Sequence, residues 1–262
     1  MAVEAIGEKQ AYFDDLDLLK KKFDNPSPLI LSESLVPTMA RLDECIQFMK
    51  DHANYKESSY YLNEYKRLQW QALSTVAAHV QNTTQQASKQ VMPDNGDNLS
   101  PADSVFTLFY GKFQTNSLRI KSLMALIEER IEYDERFRGL VLACQTVYFD
   151  VREKLIGPVL SVAIEDMVTS HQRNYCSLLR NSSRMLMHIC RDEYQLFFQF
   201  FSKGDETFVQ ERLLTQFLEG LCSRLYNVLR PIVIHISHFE TLSELCLITK
   251  NEVIDEYVAS HG

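Results

Sequence analysis

Residues 58–92 contain neither proline nor glycine, and their apolar side chains recur at the spacing of an α-helix. Recurrence at three, four and eight residues places side chains on one face of a helix, whereas a strand alternates its faces every residue. The side chains of this stripe are Leu62, Tyr65, Leu73, Val76 and Val80. A continuous helix here is about 50 Å long at about 1.5 Å per residue, which is ordinary for a rod and long for a compact globule.

The same period extends through most of the chain and predicts an all-α fold. Further apolar stripes lie over residues 35–49 and 109–131, and helices are predicted over residues 134–156, 171–201, 207–229 and 239–259. Only 8 Gly and 7 Pro among 262 residues leave little turn chemistry for a many-stranded sheet. Long helices joined by short loops predict an elongated antiparallel helical bundle, or rod.

Turn-forming residues predict where the helices are interrupted. Residues 93–99, PDNGDNL, are the strongest loop signal, a break is expected near Gly157-Pro158, and a turn is expected near residues 202–206. Residues 232–236 are compatible with either a strand or a helix, because four of these five residues are β-branched. No second segment of equal quality is available to pair with such a strand, so we expect a helix that restarts after Pro231.

Aromatic residues are concentrated in the run Phe197-Phe198-Gln-Phe200-Phe201. On a helix these rings point both along the apolar stripe and away from it, so this helix is expected to contact neighbours on more than one side. Such a run is more typical of a protein core than of a binding cage.

A narrow stripe near the N-terminus is the candidate partner-binding surface. It consists of Tyr12, Leu16, Leu19 and Phe23. Asn25-Pro-Ser-Pro ends this helix, which divides the chain into the end of a coiled-coil or partner-binding helix, residues 1–25, and a helical rod domain, residues 26–262. An ordinary terminal helix that docks on its own domain explains the periodicity equally well.

Charge and hydropathy disfavour several classes of function. The 27 Lys and Arg residues against 35 Asp and Glu residues give a net charge of −8, spread fairly evenly along the chain. Without a basic stripe to meet a phosphate backbone, no nucleic acid partner is expected. No uncharged apolar run approaches the roughly 20 residues that span a bilayer, and the acidic N-terminus is unlike a signal peptide. The chain is therefore expected to be cytosolic, with at most peripheral membrane contact.

No residue pattern predicts catalysis or a bound cofactor. The sequence contains no Gly-x-Ser-x-Gly, no phosphate-binding glycine loop and no His-Glu-x-x-His. His235 and His238 share a face if their segment is helical, which is half of a metal site, but no Cys-x-x-Cys or Glu-x-x-His supplies further ligands. The six widely spaced cysteines are expected to be reduced core thiols. We predict no catalytic residue, no cofactor and no metal.

Several blocks of the sequence resemble one family. LYNVLRPIVIHISHFETLSELCLITKNEVIDEYV at residues 225–258 is similar to subunit 3 of the conserved oligomeric Golgi complex, a vesicle-tethering assembly. SPADSVFTLFYGKF at residues 100–113 and HICRDEYQLFFQFF at residues 188–201 resemble two further blocks of that family. PTMARLDECIQFM at residues 37–49 matches less specifically, and Leu247 stands where the family pattern has glycine.

The resemblance implies an all-helical, rod-forming subunit of the multisubunit-tether type, without catalytic residues. Its expected place is the cytosolic face of the Golgi membrane, in retrograde intra-Golgi transport. The implied partners are sibling subunits 1, 2 and 4, bound mainly through N-terminal helices, together with SNARE and coiled-coil tether proteins and the Golgi membrane itself. Because the family protein is longer at both ends, the chain is expected to be an internal fragment.

Two other classes of protein remain open from the residues alone. An unrelated cytosolic helical repeat adaptor would show a superhelix of equal helix pairs. A helical metalloenzyme would need a core metal site that includes His235 and His238, and stoichiometric zinc or iron in the purified protein would reveal it.

Overall fold

The computed structural model describes residues 2–24, 29–91, 102–172, 174–202 and 207–254. These residues are predominantly helical and include no strand, so the all-α prediction is confirmed. In chain order the helices are α1 (Ala2–Phe23), α2 (Leu35–Asp51), α3 (Ser58–Lys89), α4 (Ala102–Glu128), α5 (Arg136–Ser170), α6 (Tyr175–Phe200), α7 (Thr207–Ile234), α8 (Phe239–Leu247) and a π-helix (Ile248–Ile254). Each helix within the described ranges is too short or too polar to cross a bilayer.

The chain divides into two compact units, each with its own buried apolar side chains. The first unit contains Met1–Asn82 and Ser122–Cys144, and the second contains Thr83–Lys121 and Gln145–Gly262. Helices α3, α4 and α5 contribute residues to both units. The predicted functional division at residue 25 falls inside the first unit and stays a prediction, as does the rod-like shape.

The break predicted near Gly157-Pro158 is wrong, because α5 continues through both residues to Ser170. Proline has no N–H to donate to the carbonyl four residues earlier, and a helix interior therefore loses one hydrogen bond at Pro158. Pro158 is exposed, while Ile156 and Leu160 on either side of it are fully buried. The packing of these neighbours holds the helix, since most helical stability in proteins comes from tertiary contacts.

Helix α7 likewise continues past Pro231, and the helical interpretation is confirmed for residues 232–234. The helix does not restart after the proline as predicted but closes soon afterwards, with N–H groups of His235 and Ile236 donating to carbonyls three residues back, at 3.3 and 3.1 Å. The helix predicted over residues 239–259 changes to a π-helix after Leu247. The predicted loop at residues 93–99 and residues 203–206 of the predicted turn lie outside the described residues.

The first unit is held by buried helical stripes and one buried polar link. The predicted α3 stripe is buried at Tyr65, Leu73, Val76 and Val80. Asp43 on α2 accepts hydrogen bonds from the Gln69 amide on α3, at 2.7 Å, and from the Arg130 guanidinium, at 2.5 Å. Arg130, just after α4, also donates to the Leu126 carbonyl at 2.6 Å. Asp43 and Arg130 therefore join α2, α3 and the end of α4.

Aromatic rings fill the core of the second unit. Phe149 on α5 stacks on Phe197 of α6, with ring centroids 5.2 Å apart and planes 16° from parallel. Tyr148 lies 5.9 Å from Phe197 and 5.2 Å from Phe200, and Phe113 on α4 lies 6.2 Å from Phe200. The expectation that the aromatic run on this helix contacts neighbours on more than one side is confirmed.

A buried ion pair crosses the same core. The Arg152 side chain on α5 is 0% exposed and that of Glu193 on α6 is 1% exposed. The guanidinium donates from Nε to one carboxylate oxygen at 3.0 Å and from Nη2 to the other. It also lies 4.6 Å from the centroid of the Phe113 ring and 5.1 Å from that of Tyr110. Burial by itself lowers the pKa of Arg152, but the charge and hydrogen bonds of Glu193 more than offset this and raise it.

Gly157 is where a side chain of α7 crosses α5. The Arg224 guanidinium reaches over it to the Glu153 carboxylate and donates to the Ser161 hydroxyl at 3.3 Å. A Cβ atom at residue 157 would lie 2.8 Å from Arg224 Nη2, closer than real Cβ contacts. A side chain at residue 157 would therefore have to displace the flexible end of Arg224, and the glycine does not end a helix.

Candidate partner-binding surfaces

The predicted N-terminal stripe faces the core of the first unit. Leu16, Leu19 and Phe23 are 4%, 3% and 1% exposed. Tyr12 stacks on Phe48 of α2 at 4.0 Å between ring centroids, and the Tyr12 carbonyl accepts a hydrogen bond from the Tyr65 hydroxyl at 2.5 Å. This is the arrangement of a helix docked on its own domain. Partner binding by the stripe stays a prediction, and a partner helix would have to replace these contacts.

Replacing Leu16 with aspartate is expected to lower the free energy of unfolding by more than about 3 kcal/mol, because a charge would enter a packed core. Leu18 provides the matched control, since it lies on the same helix and is 57% exposed. Leu18→Asp is expected to change stability by less than about 0.5 kcal/mol. Urea unfolding followed by circular dichroism measures both. Wild-type stability in Leu16→Asp would contradict the burial and favour a free binding face.

An apolar groove of about 890 Å³ lies between α6 and α7 of the second unit, with Val253 of the π-helix at its edge. Its apolar lining includes Leu179, Leu186, Met187, Leu218, Leu225, Leu229 and Val233. Three large side chains of the groove are exposed, Tyr194 by 41%, Tyr226 by 61% and Ile234 by 65%. An apolar patch of this kind on a protein surface marks a binding site for a protein, a ligand or a membrane.

Each wall of the groove is a second apolar stripe on a helix that also carries a core stripe. On α7 the lining residues follow helical spacing from Leu218 through Cys222, Leu225 and Leu229 to Val233. Among the described residues that line the groove, the charged ones are Arg191 on α6 and Arg230 on α7, and both are exposed. The groove therefore combines an apolar floor with positive charge on both walls.

An ion pair links the π-helix to α6. The Arg180 guanidinium donates to both carboxylate oxygens of Glu252, at 2.6 and 2.8 Å. These hydrogen bonds from Arg180 lower the pKa of Glu252 below its ordinary value of 4.5. Bidentate pairs of this kind fix geometry as well as adding attraction. The pair lies next to Val253, which is one of the residues that line the groove.

The histidine and cysteine expectations change in the structure. His235 and His238 do not share a helix face, because α7 ends at Ile234 and His238 is the residue that precedes α8. Within the described ranges, no three His, Cys, Asp or Glu side chains gather as metal ligands would. Cys45 and Cys144 are buried, as expected of core thiols, and burial raises the pKa of each to about 11. Cys222 and Cys246 are exposed, so the expectation is wrong for these two.

Comparison with known proteins gives one consistent result. The family model described as conserved oligomeric Golgi complex subunit 3, C-terminal, matches residues 106–261, and the N-terminal model of the same subunit matches residues 1–86. This chain belongs to the conserved oligomeric Golgi complex subunit 3 family. No solved structure matches it.

Members of the subunit 3 family from distant organisms are similar over most of this chain. The mouse (Mus musculus) protein of that name is 35% identical over 97% of the chain, and the human (Homo sapiens) one is 34% identical over 99%. The yeast (Saccharomyces cerevisiae) protein is 24% identical over 92%. The chain spans only about 30% of the length of these relatives.

The sequence blocks that resemble the subunit 3 family contribute to the core and to the groove. Tyr110 and Phe113, from the block at residues 100–113, lie over Arg152, whose partner Glu193 belongs to the block at residues 188–201. The block at residues 225–258 supplies Leu229 and the other groove residues at the end of α7.

The sequence did not predict the groove, the Arg152–Glu193 ion pair or the ion pair between Glu252 and Arg180. A second apolar stripe on α6 and α7 was a signal for the groove, but periodicity does not tell a buried stripe from an open one. No sequence signal indicated which distant charges would pair.

Proposed function

We propose that the protein to which this chain belongs is a structural subunit of the conserved oligomeric Golgi complex, acting in vesicle tethering during retrograde intra-Golgi transport. Membership of the subunit 3 family carries the proposal. The helical architecture supports it, because packed helices present apolar faces that complete bundles with other subunits. No catalytic step forms part of the proposed role, which is to bind and to position other proteins.

The proposed partners are sibling subunits 1, 2 and 4, SNARE proteins and coiled-coil tethers. The proposed location is the cytosolic face of the Golgi membrane, with peripheral contact. Support for these finer assignments comes from the family resemblance, and the N-terminal stripe remains one candidate surface for sibling subunits.

The groove between α6 and α7 is a second candidate surface, and its proposed occupant is an amphipathic helix of a sibling subunit. Two packed helices with a furrow between them suit a third helix that places its apolar side chains at helical spacing into the furrow. Arg191 and Arg230 favour an occupant with Asp or Glu beside its apolar stripe. A wholly apolar or basic helix lacks this complementarity.

The groove is tested with the double variant Tyr226→Asp, Ile234→Asp in the full-length subunit, expressed in cells that lack the endogenous protein. Both side chains are exposed, so the fold is expected to survive while recovery of at least one sibling subunit falls by about tenfold or more. Affinity purification with quantitative mass spectrometry measures the recovery, and circular dichroism checks the helix content.

Leu118→Asp is the matched control for this experiment, because Leu118 is 82% exposed on α4 of the same unit and does not line the groove. Charge reversal with Arg191→Glu, Arg230→Glu is expected to weaken recovery of the same sibling as the aspartate pair. Normal recovery of all siblings in the aspartate double variant would overturn the groove as a subunit-binding surface. If sibling subunits are lost from Leu118→Asp and retained by the aspartate double variant, the subunit-binding surface lies on α4 and not in the groove.

A further inference from the structure

A second cavity of the second unit lies among α4, α5 and α6 and has a volume of about 580 Å³. We call this cavity the cup. Each of the three helices contributes apolar side chains to its lining, namely Phe106 and Tyr110, Ala163 and Met167, and Met185 and Ile189. Phe106, Ala163 and Ile189 are 8%, 6% and 5% exposed, so the cup is closed on the inside by buried apolar groups.

The rim of the cup carries negative charge that no protein cation neutralises within the described part of the chain. Asp166 on α5 and Asp192 on α6 both line the cup and are both exposed. Neither carboxylate takes part in a hydrogen bond or an ion pair with a described residue, and the described lining includes no Lys or Arg. Partial desolvation raises the pKa of Asp192 above its ordinary value of 3.8, and the nearby His188 offsets this only in part. A bound cation would stabilise both carboxylates.

The two histidines of the lining do not turn the cup into a metal site. His171 donates from Nδ1 to the Met167 carbonyl at 2.9 Å, and its Nε2 lies 3.2 Å from the side-chain amide nitrogen of Asn181. Both ring nitrogens of His171 are therefore engaged in holding the wall of the cup. Among the described residues, no set of three metal ligands gathers here.

Helix α6 borders both the cup and the groove and separates charges of opposite sign. Arg191 lines the groove, whereas the next residue, Asp192, lines the cup. Successive side chains on an α-helix point about 100° apart, so one turn of α6 presents a cation to one opening and an anion to the other. The cup therefore favours an occupant of the opposite charge from the one proposed for the groove.

From this charge complementarity we infer that the cup is a docking site for a basic segment of a partner protein. A Lys or Arg side chain of that segment lays its aliphatic stem on the apolar lining and brings its charged end to Asp166 and Asp192 at the rim. Arginine suits the site well, because its guanidinium pairs with carboxylates in two-point contacts and stacks on aromatic rings such as that of Tyr110. The proposed function assigns no role to the cup, and this inference holds whether or not the groove binds a sibling subunit.

The test selects binders of the purified full-length subunit from a displayed library of random peptides of about 15 residues, long enough for four helical turns. Binders of the double variant Asp166→Asn, Asp192→Asn are removed by counter-selection. The remaining peptides are expected to carry a Lys or Arg next to apolar residues. Replacing that Arg with uncharged citrulline, or that Lys with norleucine, should weaken binding in fluorescence anisotropy by about fivefold or more.

Three further variants test whether the cup is the site. Glu165→Gln, Glu240→Gln is the matched control, since it removes two exposed carboxylates of the same unit outside the cup and should bind the peptides normally. The groove variant Tyr226→Asp, Ile234→Asp should also bind them normally. Ser170→Arg supplies a cation four residues after Asp166 on α5 and should weaken peptide binding by about fivefold.

Circular dichroism of each variant checks that helix content is unchanged. The inference is overturned if no selected peptide depends on the two aspartates, or if the dependent peptides lack Lys and Arg. Equal loss of binding in the Glu165, Glu240 control would also overturn it, because the attraction would then come from overall charge and not from the cup.

Discussion

Replacing Glu193 with alanine is expected to lower the free energy of unfolding by about 3–5 kcal/mol. The variant leaves the Arg152 guanidinium with its charge unpaired in a site where the side chain is 0% exposed. Solvent cannot replace the lost carboxylate there, and the neighbouring Phe113 and Tyr110 rings supply only part of the attraction. Chemical denaturation followed by circular dichroism measures the change.

The double variant Arg152→Met, Glu193→Leu is the control for this prediction. It removes both charges and keeps apolar volume, so its free energy of unfolding should lie close to that of the wild type or above it. Arg180→Met breaks a pair at the protein surface and should have little effect on stability. If the double variant is as unstable as Glu193→Ala, the loss arises from packing and not from an unpaired buried charge.

Phe197→Ala is expected to destabilise the chain by about 3–5 kcal/mol, because it opens a cavity among aromatic rings from two helices. Phe197 is 0% exposed, stacks on Phe149 and lies 4.9 Å from the centroid of Phe201. Phe197→Leu retains part of the volume and should be less severe. The free energy of unfolding from urea titration measures both variants.

Phe239→Ala removes the same number of atoms from an exposed position and is the matched control. Phe239 is 82% exposed, so its removal should change stability by less than about 0.5 kcal/mol. A small effect of Phe197→Ala, comparable with that of Phe239→Ala, would contradict the placement of Phe197 in the centre of the core.

The helices that depend on apolar spacing were predictable from the residues. Stripes such as the one from Tyr65 to Val80 are buried as the spacing predicts, because a repeat of three or four residues selects one helix face whatever packs against it. The positions of two prolines gave wrong predictions of where helices end. Pro158 and Pro231 carry a local penalty that tertiary packing outweighs, and the strength of that packing is not visible in a local pattern.

The candidate sites were predictable only in part. The stripe at Tyr12, Leu16, Leu19 and Phe23 was found as an apolar helix face, but whether α2 and α3 or another protein covers it depends on contacts more than 20 residues away. The groove was not found. Its walls belong to two different helices, and only the packing of α6 against α7 forms the furrow between them.

The spacing of apolar residues therefore determined that the chain is helical, because a helix face is set by residues three and four positions apart. The matching sequence blocks determined the family, because they depend only on which residue types follow one another. The tertiary structure decided which apolar faces are covered, which charges pair and where an open groove remains. The physical reason is that helix formation is governed by neighbours within about one or two turns, whereas burial and charge pairing depend on which distant helices meet.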